Sequence, residues 1–211
     1  MRTWMEGRHA MAVYAAAVLG LATACPWMDI VLVLGPSKGA GNHLVISLAD
    51  MMLLVCTHVM AWAFAPCMTH VDALGRKPIA LDSAMASVAV LIYAIAVPWL
   101  RFVYSPTVDV AYTSVFGSLL VGTATAMTML MVACIGGSGA LVGAVVVVLL
   151  IGGESWQMRL FGFSVLPGDI NQMTKLRTAL LIMLVAAVCW SWWSSRAGAW
   201  PLLGRTVWER R

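Results

Sequence analysis

Two carboxylates lie inside otherwise apolar runs. Asp29 interrupts the run from Ala10 to Leu34, and Asp50 the run from Leu44 to Ala65. An ionisable group at membrane depth is costly, so each is expected to face a bundle interior or a wet cavity. In the second run His43, Ser47, Asp50 and Thr57 fall at i, i+4, i+7 and i+14, a spacing that puts all four on one face of a helix. That stripe, together with Asp29, is a candidate lining for a substrate path. The plainer alternative is a solvated Asp29 just after Pro26, and an Asp50 satisfied by hydrogen bonds between helices.

Soft metal ligands cluster a little further on, as Cys56, His58 and Met60, then Cys67 and His70. Such side chains suit copper, zinc or haem iron. On a helix, positions i and i+2 point apart, so Cys56 and His58 do not converge, and Pro66 bends the path before Cys67. Packing is therefore expected, with metal binding by this group left open. The Gly-rich stretch Gly35 to Gly41 lacks a P-loop's order, because Lys38 does not follow the second glycine of GxxxxGK[ST]. Any ATP must then be held and hydrolysed by a partner. Gly136-Gly-Ser138-Gly139 resembles the GxSG of rhomboid proteases, a family with a six-helix core whose serine takes its base from a later helix. Here His9, His43, His58 and His70 all precede Ser138. A serine without a base is a poor nucleophile, so this segment reads as a tight turn plus packing. No catalytic set remains, and the chain is not expected to be an enzyme.

The elements that carry these residues follow from composition. Of 211 residues, 62% are hydrophobic and 10% charged, and mean hydropathy is +0.90. A soluble domain of this length cannot bury so much apolar surface, so the expected fold is all-α: one polytopic transmembrane domain spanning 1–211. The five cysteines, Cys25, Cys56, Cys67, Cys134 and Cys189, are scattered and mostly inside apolar runs. They read as small buried residues and not as a disulfide framework. Arg2 and Arg8 before an apolar run, with Ala22-Thr-Ala-Cys25, weakly suggest a signal peptide. The run continues to Leu34, so a retained first span is expected.

About 20 apolar residues cross a bilayer as a helix. Six runs qualify or come close: Ala10 to Leu34, Leu44 to Ala65, Ile79 to Leu100, Val110 to Ile135, Gly139 to Ile151, and Leu176 to about Trp193. The fifth is short, its apolar part covering only about 20 Å. It must borrow flanking residues or be re-entrant beneath covering protein. With the N-terminus inside, Arg2, Arg8, Arg76, Lys77, Arg196, Arg205, Arg210 and Arg211 are inner, while Lys38, Arg101, Arg159, Lys175 and Arg177 are outer. Eight against five places both termini in the cytoplasm. The net charge of +4 is thus a topology signal first, and nothing in the pattern asks for nucleic acid.

Between the fifth and sixth runs, Gly152 to Thr174 mixes Trp156, Leu160, Phe161 and Phe163 with polar residues, as short interfacial or re-entrant helices do. The tail from Arg196 mixes Trp200, Leu202, Leu203 and Trp208 with arginines, and is expected on the inner surface. Small residues repeat every four positions: Ala12, Ala16, Gly20 and Ala24; Ser114, Ser118, Gly122 and Ala126; Gly139 and Gly143. That spacing lets helix backbones approach in lipid, within one subunit or between two.

The polar connection Pro66 to Asp82 stands out between apolar runs. Arg76 and Lys77 fit ordinary positive-inside chemistry. Alternatively the segment is a short surface helix with Val71, Leu74 and Ile79 toward lipid, and with Asp72, Arg76 and Lys77 open to a partner.

This layout resembles the six-helix permease subunits of ABC exporters that carry no fused ATPase, in the small systems of bacteria tied to antibiotic or peptide efflux. The resemblance covers nearly the whole chain and rests on layout: both termini inside, the polar connection Asp72 to Pro78 after the second span, and the semi-apolar segment Gly152 to Thr174 before the sixth. It implies a multi-pass protein of the bacterial cytoplasmic (inner) membrane. It further implies separate ATPase subunits holding ATP-Mg, a second permease subunit of the same or different chain, and coupling to the ATPase through Asp72, Leu74, Arg76 and Lys77. Two competing readings stand beside it. One is the substrate-binding membrane subunit of an energy-coupling-factor vitamin importer, which the small-residue rows also fit. The other is a non-catalytic or redox subunit of a membrane complex, which the Cys/His/Met group would favour.

Overall fold

Runs of Ala, Leu, Met and Val with few breakers form six helices in the computed structural model, which describes residues 9–25, 31–34, 44–64, 79–104, 106–152 and 174–194. These are α1 (Ala10–Ala22), α2 (Leu48–Ala63), α3 (Ile79–Tyr104), α4 (Val108–Ile135), α5 (Ser138–Gly152) and α6 (Thr174–Ser194). Between α1 and α2 lie two short strands, β1 (Val31–Leu34) and β2 (Leu44–Ser47), paired antiparallel from Val31↔Ser47 to Leu34↔Leu44. Among the described residues two segments are long and apolar enough to cross a membrane: Ala84–Tyr104 in α3 and Thr113–Ile135 in α4.

The first two apolar runs depart from expectation. The first is not a continuous helix to Leu34. It stops at Ala22, where Thr23 Oγ1 turns back to the carbonyl of Gly20 at 2.6 Å, four residues before Pro26. The second does not begin as a helix at Leu44. Val31 to Leu34 and Leu44 to Ser47 are β-branched and leucine-rich, and they flank a segment with three glycines and a proline. That is the pattern of two short strands around a turn region, and hydropathy alone hides it. Helix α1 is about 20 Å long and α5 about 23 Å, both shorter than a bilayer core of about 30 Å.

Helix α4 is the axis. Its apolar segment is 72% buried, against 44% for that of α3, and α2, α3, α5 and α6 all pack on it. Small residues allow the close approaches. A Cβ at Gly139 would meet the Met131 backbone carbonyl, and one at Gly143 would stand 2.9 Å from Thr128 Cα and Oγ1, so α5 lies directly on α4. A Cβ at Gly122 would meet Ile95 at 3.0 Å and Leu181 at 3.4 Å, where α3 and α6 close on α4. Gly20 leaves room for the Tyr93 hydroxyl, which reaches across α1 to donate to the Ala17 carbonyl at 2.6 Å. Ala16 is buried in the same α1 face. Gly136, at φ 85°, turns the chain from α4 into α5, a left-handed position that suits glycine.

Pro98 lies inside α3 and removes one backbone donor. One turn before it, Ser118 Oγ donates to the Ile95 carbonyl at 2.8 Å. That bond ties α4 to α3, while the carbonyl that loses its helical donor to Pro98 is the one at Ala94.

Candidate functional site

The polar residues of α2 and their partners form the site, which begins at the helix N-terminus. Ser47 is the N-cap in extended geometry, and its hydroxyl accepts from the Ala49 N–H at 3.2 Å. Capping satisfies a backbone donor left free by the first turn. Ser47 is thus a helix cap and not a position along a helical stripe, because the chain is a strand up to that residue. Asp50 falls in the first turn of α2, where the helix dipole favours negative charge.

Arg101, in the last turn of α3, places Nη2 2.9 Å from Asp50 Oδ1. The side chains are 7% and 2% exposed, so this is a buried ion pair. Such a pair holds only when the partners stay together, because either charge alone carries its full desolvation cost. Gly117 of α4 makes the space: a Cβ there would come within 2.8 Å of Asp50 Oδ1. Ser114, one turn earlier on α4, is fully buried, and its hydroxyl and Arg101 Nε have no hydrogen-bond partner among the described residues. Arg101 is thus a buried helix residue neutralised by Asp50, and not a charge in the connection after the third run.

Two turns along α2 the contacts become neutral. Thr125 Oγ1 of α4 donates to Thr57 Oγ1 at 2.9 Å, and Thr57 donates to the Leu54 carbonyl at 2.9 Å. The neighbouring His58 puts Nδ1 2.7 Å from the same carbonyl, and Nε2 2.8 Å from Thr128 Oγ1. Beside this seam an open groove of about 410 Å³ runs between α2 and α5, lined by His58 and Trp62 among apolar side chains such as Leu54, Leu141 and Val148. At its far end His9 stacks on Trp62, with ring centroids 5.1 Å apart.

Of the expected cavity residues, Asp50 and Thr57 share a buried face of α2, and Ser47 caps it. Asp29 and His43 lie outside the described residues, as do Asp72, Leu74, Arg76 and Lys77 of the expected coupling segment, and Cys67 and His70 of the possible metal group. Cys56 is buried and Met60 packs in the core. Among the described residues no three His, Cys, Asp or Glu side chains gather as a metal would need.

The partners on α3 and α4 escaped the sequence reading. Arg101 gave a signal, a lone charge in WLRFVY. Thr123, Thr125 and Thr128 gave a weaker one, three hydroxyls in an apolar helix, all buried. Compared with known protein families, characterised proteins and solved structures, the chain matches none.

Proposed function

We propose that this chain is a membrane-embedded permease subunit of an ATP-driven bacterial exporter of the ABC type. It works with a second permease subunit and with separate ATPase subunits that hold ATP-Mg. In this reading the six helices are six spans of one domain in the bacterial inner membrane, both termini are cytoplasmic, and the chain has no catalysis of its own.

The observation that carries the membrane part is the inverted distribution of polarity. Large apolar side chains face outward on several helices: Val18 on α1, Val55 on α2, Ile92 on α3, Leu141 and Val148 on α5, and Met183 on α6, each at least half exposed. Asp50, Arg101, Thr57, Ser114, Thr125 and Thr128 face inward. Water selects the opposite arrangement, and soluble monomers rarely present large apolar patches. Lipid tolerates it, and polar side chains then serve as contacts between helices. The transport part rests on the layout and on the polar seam along α4, which would line a path if the helices around it moved apart.

Affinity purification of the full chain in mild detergent tests the reading. An ATPase and a second multi-pass chain should copurify, and the double charge reversal Arg76→Glu/Lys77→Glu should reduce ATPase recovery several-fold. Recovery with no ATPase contradicts transport by this mechanism. An ATPase without a second permease-like chain would turn the reading toward an importer subunit. Unchanged ATPase recovery in the double reversal removes the coupling role of the Pro66 to Asp82 connection.

A further inference from the structure

At the contact between His58 and Thr128 the neutral side chains are one hydrogen short. His58 Nδ1 lies 2.7 Å from the Leu54 carbonyl oxygen. A carbonyl only accepts, so Nδ1 carries a hydrogen. Nε2 lies 2.8 Å from Thr128 Oγ1, and that oxygen lies 3.0 Å from the Ala124 carbonyl. A hydroxyl has a single hydrogen to give. With a neutral ring, Nε2 is an acceptor, and the Thr128 hydrogen must leave Ala124 to serve it. With a charged ring, Nε2 donates to Thr128 Oγ1, and the hydroxyl hydrogen returns to Ala124. The protonated ring alone fills all three close contacts at once.

The ring meets carbonyl and hydroxyl dipoles and, among the described side chains, no countercharge. The Leu54 carbonyl also accepts the Thr57 hydroxyl at 2.9 Å, so the ring shares that acceptor with Thr57. Asp50 is the carboxylate of α2. It lies eight residues away on α2, about 12 Å along the axis, and is paired with Arg101. Near the ring α4 presents Thr125 and Thr128, and α5 presents Ala140, Leu141 and Ala144; none of these is ionisable. Just before α1 comes His9, its N-cap residue, stacked on Trp62 one turn beyond His58. Cys56, on α2 itself, is the other titratable side chain nearby in sequence. His58 is half-buried and lines the groove between α2 and α5, so the ring is reachable from outside the bundle.

We propose that His58 is a proton-binding site, and that Thr128 reads its occupancy. Uptake of one proton at Nε2 adds one positive charge and breaks no covalent bond. It reverses the hydrogen bond between α2 and α4 and sends the Thr128 hydroxyl back to Ala124. The change reaches a third helix, because Gly143 of α5 is seated against Thr128. Local proton activity is thereby coupled to the packing of α2, α4 and α5. The proposal does not depend on the transport reading.

The test is an NMR titration of full-length protein with ¹⁵N-labelled histidine in lipid nanodiscs, with His58→Gln to assign the ring. Nδ1 should stay protonated throughout while Nε2 changes from bare to protonated within the range of about pH 4.5 to about pH 9. Thr128→Val should lower the midpoint by about half a pH unit or more, because the charge-assisted bond lost from the protonated form is stronger than the neutral bond lost from the other. Thr128→Ser should leave the midpoint in place. A ring that keeps one protonation state across that range overturns the proposal, as does a folded Thr128→Val protein with an unmoved midpoint. If Thr128→Val does not fold, the wild-type titration and Thr128→Ser decide, and a serine variant with a displaced midpoint counts against the reading.

Discussion

At the hairpin end of α2, Asp50 meets Arg101 as a full ion pair; two turns on, Thr57 and His58 meet Thr125 and Thr128 through neutral groups. Both contacts join α2 to its neighbours, the first buried and the second partly so at His58, yet they hold in different ways. The ion pair has a fixed charge on each side and tolerates little separation, since the low-dielectric surroundings penalise either charge left alone. The neutral seam is weaker per contact and can exchange hydrogens without moving heavy atoms. One end of α2 is thus clamped, and its middle is adjustable. A helix that takes part in opening a path needs both properties, a fixed end and a part whose bonds can change partners.

The largest expected effect falls on the clamp. Arg101→Gln alone, measured by unfolding in mixed detergent micelles, should destabilise the protein by about 3–5 kcal/mol, because Asp50 is left buried without its countercharge. The double variant Asp50→Asn/Arg101→Gln should recover most of that loss. If the double variant is as unstable as the single ones together, the two side chains do not act as a pair.

The contact between α4 and α5 comes next. Gly139→Ala puts a methyl group against the Met131 carbonyl, which belongs to backbone and cannot swing away. A loss of about 1–3 kcal/mol is expected, as for other overpacked positions. Gly20→Ala presses instead on the tip of the Tyr93 side chain, which can move. It should cost less than Gly139→Ala in the same assay, and Tyr93→Phe should relieve part of it. A reversed order would mean that α1, not α5, is the tightly seated helix.

The smallest effect belongs to the neutral seam. Thr125→Val should cost about 0.6 kcal/mol, the usual size of a hydrogen bond between helices in a membrane. A loss as large as that of Arg101→Gln would erase the distinction between clamp and seam.

Much of the helical framework could be read from hydropathy, because length and apolar content alone define the runs that became α3, α4 and α6. The ends of the first two runs could not. Val31 to Leu34 and Leu44 to Ser47 are as apolar as a helix would be, and only their β-branched content and the Gly/Pro segment between them separate strand from helix. The site was legible by halves. Asp50 and Thr57 announce themselves as polar residues in an apolar run, whereas their partners depend on which helices touch. Arg101 is 51 residues from Asp50 and Thr125 is 68 from Thr57. A periodicity within one helix carries no information on that pairing. At Ser47 the helical period does not apply, for a local reason: the chain is strand from Leu44 up to that cap.

The most direct test of the transport account is whether the seam along α4 opens in a working complex. Single cysteines at Ser114, Thr125 and Thr57, in a background with the native cysteines replaced, can be probed with a membrane-impermeant maleimide in inverted membrane vesicles. Val145 of α5 and Met183 of α6, which face outward, serve as controls. The account predicts that ATP changes labelling at the seam positions several-fold and leaves the outward positions as they were. Seam positions whose labelling is the same with and without ATP, in vesicles whose ATPase is active, would contradict it.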